Sequence, residues 1–129
     1  MTIVDRESRC FLSWRVVTER SEAIAQAMVY EAPAQRYYSD RFKMYFNLHY
    51  GVAHYLAKFD KSETYSVEAG NAELRHYLAR LARKSRCFSR CIKALRVHVK
   101  AFVHAWNRRQ LYKRQYPSYE AHLIDFVYP

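Results

Sequence analysis

Glycine, proline and cysteine are scarce in this chain: 2, 3 and 3 among 129 residues. So little Gly and Pro excludes a linker array or a loop-rich protein of many small strands. The odd cysteine count (Cys10, Cys87 and Cys91) is a poor disulfide framework and fits a reducing compartment. No stretch nears the ~18 uncharged apolar residues of a membrane helix. Asp5, Arg6, Glu7 and Arg9 argue against a signal peptide. Together these absences predict a soluble, cytoplasmic chain with no membrane partner. Acid is also missing from one long region, because no Asp or Glu stands between Arg75 and Arg114.

What is present can build a core. Half of the residues are hydrophobic and 16% are aromatic, with 12 tyrosines, which excludes a disordered chain. The length suits one domain. Residues 1–70 hold nine basic and nine acidic side chains, whereas residues 71–129 hold 13 basic and 3 acidic ones, so the second part carries the whole net charge of +10. A one-sided basic block of this length points to a polyanionic partner, with double-stranded DNA first among candidates; the alternative is a basic face kept for solubility.

Along the chain, Thr2–Val4 and Cys10–Val17 read as two strands around the polar turn Asp5-Arg6-Glu7-Ser8. Ser21 reads as the N-cap of a helix carrying Ile24, Ala27, Met28 and Glu31, which Pro33 stops. Residues 36–39 read as a short strand ending on the carboxylate of Asp40. Residues 41–62 are read as helix and irregular loop, and Glu63–Val67 as a further strand. From Glu68 the period becomes helical: Leu74, Tyr77, Leu78, Leu81 and Ala82 share one face, and Arg75, His76, Arg80 and Arg83 the other. Residues 85–89 break that pattern. A second long helix follows with Ile92, Leu95, Val99, Phe102, Val103 and Trp106 on its buried stripe, ending at Tyr116-Pro117. The order strand–strand–helix–strand–helix predicts an α/β domain with a basic helical C-terminal part.

Asp40 at a strand end and Glu68 at a helix start could converge on one point, as a Mg²⁺ or Mn²⁺ phosphoryl-transfer site requires. A turn Asp and a helix-capping Glu are the simpler alternative. Glu68, Asn71 and Arg75 follow i, i+3, i+7 along one helix edge, which would set Asn71 and Arg75 beside a metal-bound phosphate. Cys87, Cys91 and His98 are a weak pattern for zinc, and the tyrosines lack the Arg/His constellation of a tyrosine recombinase. A structural α/β protein whose basic face binds RNA or acidic protein is a further alternative.

The run from Tyr65 to Arg90 combines a Glu, an Asn three residues on, and a Leu-Arg…Leu-Ala-Arg-Leu…Arg-Lys-Ser series. It resembles the segment of insertion-sequence-one family transposases that carries the last acid of their Asp-Asp-Glu triad. Thr2–Arg6 with Ser8-Arg9-Cys10 resembles the family's second-to-third-strand hairpin, Tyr37–Asp40 the strand ending on its second Asp, and Trp106–Tyr112 its C-terminal helix.

The resemblance implies an incomplete ribonuclease-H-like fold, a mixed sheet with helices. Residues 1–86 would form the partial catalytic core and 87–129 a basic helical extension of the same domain. It implies Mg²⁺ or Mn²⁺, and strand cleavage and joining at transposon ends. Asp40 and Glu68 become the catalytic, metal-binding acids, and Asn71, Arg75, Arg80, Arg83, Lys84, Arg86 and Arg90 the expected DNA contacts. The chain is expected in the prokaryotic cytoplasm, associated with the nucleoid.

The family's first Asp, in an Asp-Glu-Leu-Trp-like motif, has no counterpart in these residues; Asp5 matches the hairpin turn instead. That departure implies the C-terminal part of a transposase, inactive alone: a truncated copy, a reading-frame fragment or one product of a split or frameshifted gene; the alternative is a non-catalytic basic DNA-binding remnant that interferes with an intact transposase. In such a sheet the first strand is central. Its neighbours, Thr2–Val4 and Arg36–Ser39, are then expected to close on each other or to recruit another chain, leaving the N-terminal half less stable than the helices.

Overall fold

A computed structural model describes residues 1–56, 65–78 and 91–127. Its order is β1 (Thr2–Val4), β2 (Phe11–Trp14), α1 (Glu22–Glu31), β3 (Arg36–Ser39), β4 (Ala53–Leu56), α2 (Tyr65–Tyr77) and α3 (Ile92–Gln115), with 3₁₀ turns at Lys43–Asn47 and Leu123–Phe126. The class is mixed α/β, with two small sheets and three helices among the described residues.

The β1–β2 hairpin begins from Asp5, whose carboxylate accepts from the backbone N–H and the hydroxyl of Ser8. Arg9 closes the turn in the left-handed region at φ 63°, and its N–H reaches the Asp5 carbonyl at 2.9 Å. A non-glycine residue there costs about 1–2 kcal/mol, offset by these bonds and by the Trp106 indole, which donates to the Arg9 carbonyl at 3.0 Å. Ser8 also holds the Asp5 carboxyl below its ordinary value of 3.8, so its stabilising effect is complete at neutral pH and lost as pH falls through the depressed value.

The strands are antiparallel, pairing Thr2 with Trp14, Ile3 with Ser13 and Val4 with Phe11. Leu12 is the extra residue of a bulge and is exposed, while Phe11 and Ser13 face inward. β2 spans Phe11–Trp14, shorter than the expected strand Cys10–Val17.

Phe11 sits at the centre of the largest apolar cluster, with Leu74, Leu95, Val99, Phe102 and Trp106. Its ring meets Phe102 and Trp106 edge-on at 6.2 and 6.5 Å. α2 approaches closely because Gly70 faces this ring: a Cβ at that position would lie 3.2 Å from Phe11 Cζ. The outer edge of β2 is met by a side chain. Asn107 accepts from the Phe11 N–H at 2.7 Å and donates to the Phe11 carbonyl at 2.8 Å, as a neighbouring strand would.

α1 starts and stops where Ser21 and Pro33 imply; the Ser21 hydroxyl accepts from the Ile24 N–H. Its buried residues are Ala25, Met28 and Val29, while Ala27, expected on the same stripe, is exposed. β3 matches its predicted bounds. Its partner does not: the second strand of this parallel pair is Ala53–Leu56, and Tyr65–Val67 instead begins α2. Parallel strands need a crossover of a dozen or more residues, and residues 40–52 supply it. Residues 63 and 64 lie outside the described residues, as do Arg80–Ala82 and the break at 85–89.

The second sheet hangs on α1 by polar contacts. Tyr37 donates to the Ala32 carbonyl at 2.7 Å, Asn47 donates to Glu22 at 2.8 Å, and the Gln26 amide exchanges two 2.7 Å bonds with the His49 main chain. No described residue from Pro33 to Leu56 is buried. β1 and β3 do not pair with each other; each lies in its own two-stranded sheet. The hairpin shares its core with α2 and α3, so the weakly buried part is residues 33–56 and not the whole N-terminal half.

Replacing Asn107 by Leu strands two main-chain groups of a buried residue, at about 1–3 kcal/mol for each group left without a partner. We expect a loss of about 2–3 kcal/mol in urea unfolding, against less than about 0.5 kcal/mol for the exposed Leu111→Ala. Equal effects of the two substitutions would remove Asn107 from this role.

Candidate functional site

A cleft of about 900 Å³ opens between the two sheets. β1 and β3 form its sides, and α1, α2 and α3 contribute its floor. Asp40, Glu68, Asn71 and Arg75 all line it, so one concavity gathers the two expected acids and the two nearest expected DNA contacts.

Each has a local reason for its place. Asp40 follows β3 directly and accepts from the Phe42 N–H at 3.0 Å, the bond of an Asx-turn that starts the crossover. Glu68 lies in the first turn of α2, where the helix dipole favours an anion, and is exposed. One turn on, the Asn71 carbonyl oxygen accepts from the Thr2 hydroxyl at 2.9 Å. Asn71 thus ties α2 to β1 through its carbonyl oxygen. Arg75 is exposed at the same edge, so the i, i+3, i+7 series does run along the cleft.

Arg80, Arg83, Lys84, Arg86 and Arg90 lie outside the described residues, as does Cys87. Cys91 is exposed and Cys10 buried. Among the described residues no group of three or more His, Cys, Asp or Glu side chains is placed to hold a metal ion. Asp5 also borders the cleft, but the Ser8 bonds turn its carboxylate into the hairpin turn. Within the described cleft two carboxylates, Asp40 and Glu68, remain directed away from the hairpin turn.

On α3 the basic residues divide by face. Lys93, Arg96, Lys100 and His104 are exposed, as the helical period implies. Arg108 and Arg109 turn to the C-terminal segment, donating to the carbonyls of Phe126 at 3.2 Å and Ala121 at 2.6 Å. Arg109 also covers the Trp106 ring at 5.5 Å.

One cluster was not legible in the sequence. Ser39 donates to the Asp40 carbonyl at 3.0 Å and meets His54 Nε2 at 2.7 Å. The Ser39–His54 contact braces β3 against β4. The Tyr50 ring stacks on His54 at 4.1 Å, and burial pushes the Tyr50 hydroxyl up to about 12. Only the parallel register, with Ser39 two residues beyond the partner of His54, brings these groups together.

Compared with protein-family models, curated proteins and solved structures, the chain matches none.

Burial holds the His54 imidazole below its ordinary value of 6.5. The unfolded segment takes the proton more readily, so stability is full above 6.5 and falls as pH drops below it towards the lowered value. Amide exchange across β3 and β4 is expected to quicken over that interval relative to the hairpin. His54→Phe, which keeps an aromatic ring against Tyr50, should abolish the pH dependence; its persistence would assign it to another group.

Proposed function

We propose that this chain handles double-stranded DNA as part of an Asp-Asp-Glu transposase core of the insertion-sequence-one type, with Asp40 and Glu68 as its second and third acids. One observation carries the reading. An antiparallel pair, a helix and then a parallel pair are arranged so that both acids line one cleft between the sheets. This order supports the reading, because a ribonuclease-H-like sheet carries an antiparallel pair on one side of its central strand and a parallel strand on the other.

DNA binding in this reading rests on the C-terminal part. The exposed Lys93, Arg96, Lys100 and His104 form a basic stripe along α3, opposite the apolar stripe that holds the hairpin. Phosphate contacts from such a stripe give affinity without reading bases. Strand cleavage and joining with Mg²⁺ or Mn²⁺ would need a third carboxylate beside Asp40 and Glu68. A second reading follows from that shortage: a DNA-binding remnant without catalysis, able to interfere with an intact transposase.

Two measurements test these readings. With about six phosphate contacts, log K for duplex DNA should fall against log[salt] with a slope of about −5, and replacing Lys93, Arg96 and Lys100 by Ala should flatten the slope by about 2–3. Salt-insensitive affinity would refute DNA binding through this face. The chain alone should not nick a transposon-end duplex; nicking that requires metal, Asp40 and Glu68 would overturn the remnant reading.

A further inference from the structure

The β3–β4 sheet has two unlike faces. Side chains alternate along a strand, and the parallel register sets Tyr37 beside His54 and Tyr38 beside Tyr55. The first pair faces α1: the Tyr37 hydroxyl donates to the Ala32 carbonyl, and Tyr50 stacks on His54. The opposite face carries Arg36, Tyr38, Ala53 and Tyr55. Arg36, Ala53 and Tyr55 are exposed there, and Tyr38 is half-buried.

On that outer face the rings form a row. Neighbouring strands stand about 4.8 Å apart, so side chains in register lie side by side. The Tyr38 and Tyr55 rings stack with centroids 5.4 Å apart and planes 25° from parallel. The Arg6 guanidinium reaches from the hairpin turn to lie over the Tyr38 ring at 4.8 Å, and both residues border the cleft. At the far end of the row the Tyr55 ring is 45% exposed. Charge around the face is mixed, because exposed Arg36 begins β3 and exposed Asp40 follows its end. Charge therefore does not choose the occupant; the ring planes do. Ala53 is the one aliphatic side chain of the four, so the face offers no groove for the branched side chains of a peptide. Flat π surfaces beside guanidinium groups are what unpaired bases stack on.

We infer that this face binds unpaired nucleotides of single-stranded DNA, with bases stacked along Tyr55 and Tyr38 and Arg36 meeting the backbone. A duplex keeps its base planes covered and is not held in this way. Every base has a π face, so the site tolerates any sequence. The choice of DNA over RNA rests on the proposed duplex-DNA function. The stacking site uses none of the α3 stripe, so each can fail alone.

The test uses the full chain and oligo(dT) of about eight nucleotides, beside the same oligonucleotide with abasic sites through its middle. Removing bases keeps the phosphates and leaves the protein untouched, so the ratio of the two affinities reads stacking alone. That ratio is expected to be about tenfold or more, and to persist as salt is raised because stacking releases no counterions. Tyr55→Leu should bring the ratio close to one and leave duplex affinity unchanged. Tyr55→Trp should keep the ratio, which separates a lost ring from a lost fold. Replacing Lys93, Arg96 and Lys100 by Ala should weaken duplex binding and leave the ratio intact. Photocrosslinking from 5-iodouracil in the oligonucleotide should mark the segment holding Tyr38 or Tyr55. Equal affinities for the intact and abasic oligonucleotides, a ratio unmoved by Tyr55→Leu, or crosslinks confined to other segments would overturn the proposal. Tighter binding of oligo(rU) would refute DNA as the occupant.

Discussion

Everything on the α3 side of the molecule depends on the docking of that helix across β2. The contact has an apolar and a polar half. Phe11 inserts its ring between Phe102, Trp106 and the bare face of Gly70, while Asn107 takes up the two main-chain groups that Phe11 turns outward. Neither half is sufficient alone. Burying the ring without the amide would strand a backbone donor and acceptor in an apolar setting, and the amide alone would hold an exposed strand against water's competition. Asn71 adds a second helix contact to the hairpin, accepting from the Thr2 hydroxyl. Among the described residues, only along β2 does a helix side chain stand in for a neighbouring strand.

The second sheet obeys a different rule. Its hold on α1 is through hydroxyls and amides, and it contributes nothing to the buried apolar cluster. Hydrogen bonds net about 0.5–1.5 kcal/mol each, whereas burying a large apolar side chain contributes about 1.5–3 kcal/mol. Residues 33–56 therefore open at low cost, and they also carry Asp40 and one wall of the cleft. Local instability beside a binding site is a common pairing, because such a wall can move without disturbing the core.

Legibility in the sequence followed the reach of the interaction. Features decided within one turn were readable: the Ser21 cap, the Pro33 stop, β3 up to Asp40, the α3 stripe from Leu95 to Trp106. Glu63–Val67 misled because β-branched and aromatic character does not separate a strand from the first turn of a helix whose far side must meet Phe11. β4 escaped notice because Ala53-His54-Tyr55-Leu56 has no alternation of polar and apolar residues, and its pairing is set by β3. At the cleft, the placement of Asp40 and Glu68 was readable from element ends. The roles of Asn107, Asn71 and His54 were not, since each partner is distant in the chain. Charge counting placed the basic block but could not separate Arg108 and Arg109, which tie down the C-terminal segment, from the outward stripe.

The Phe11–Asn107 bond joins residues 96 positions apart. During synthesis at about 5–20 residues per second, the hairpin waits roughly 5–20 s after its own completion before its helical partner has been made. Until α3 has been made, Phe11 and Trp14 lack the rings of Phe102 and Trp106, with α1 and later α2 their only helical cover among the described elements. Exposed apolar surface and unpaired strand edges are what make incompletely folded chains prone to aggregate. Selection on codons between the hairpin and α3 would act directly on how long that exposure lasts.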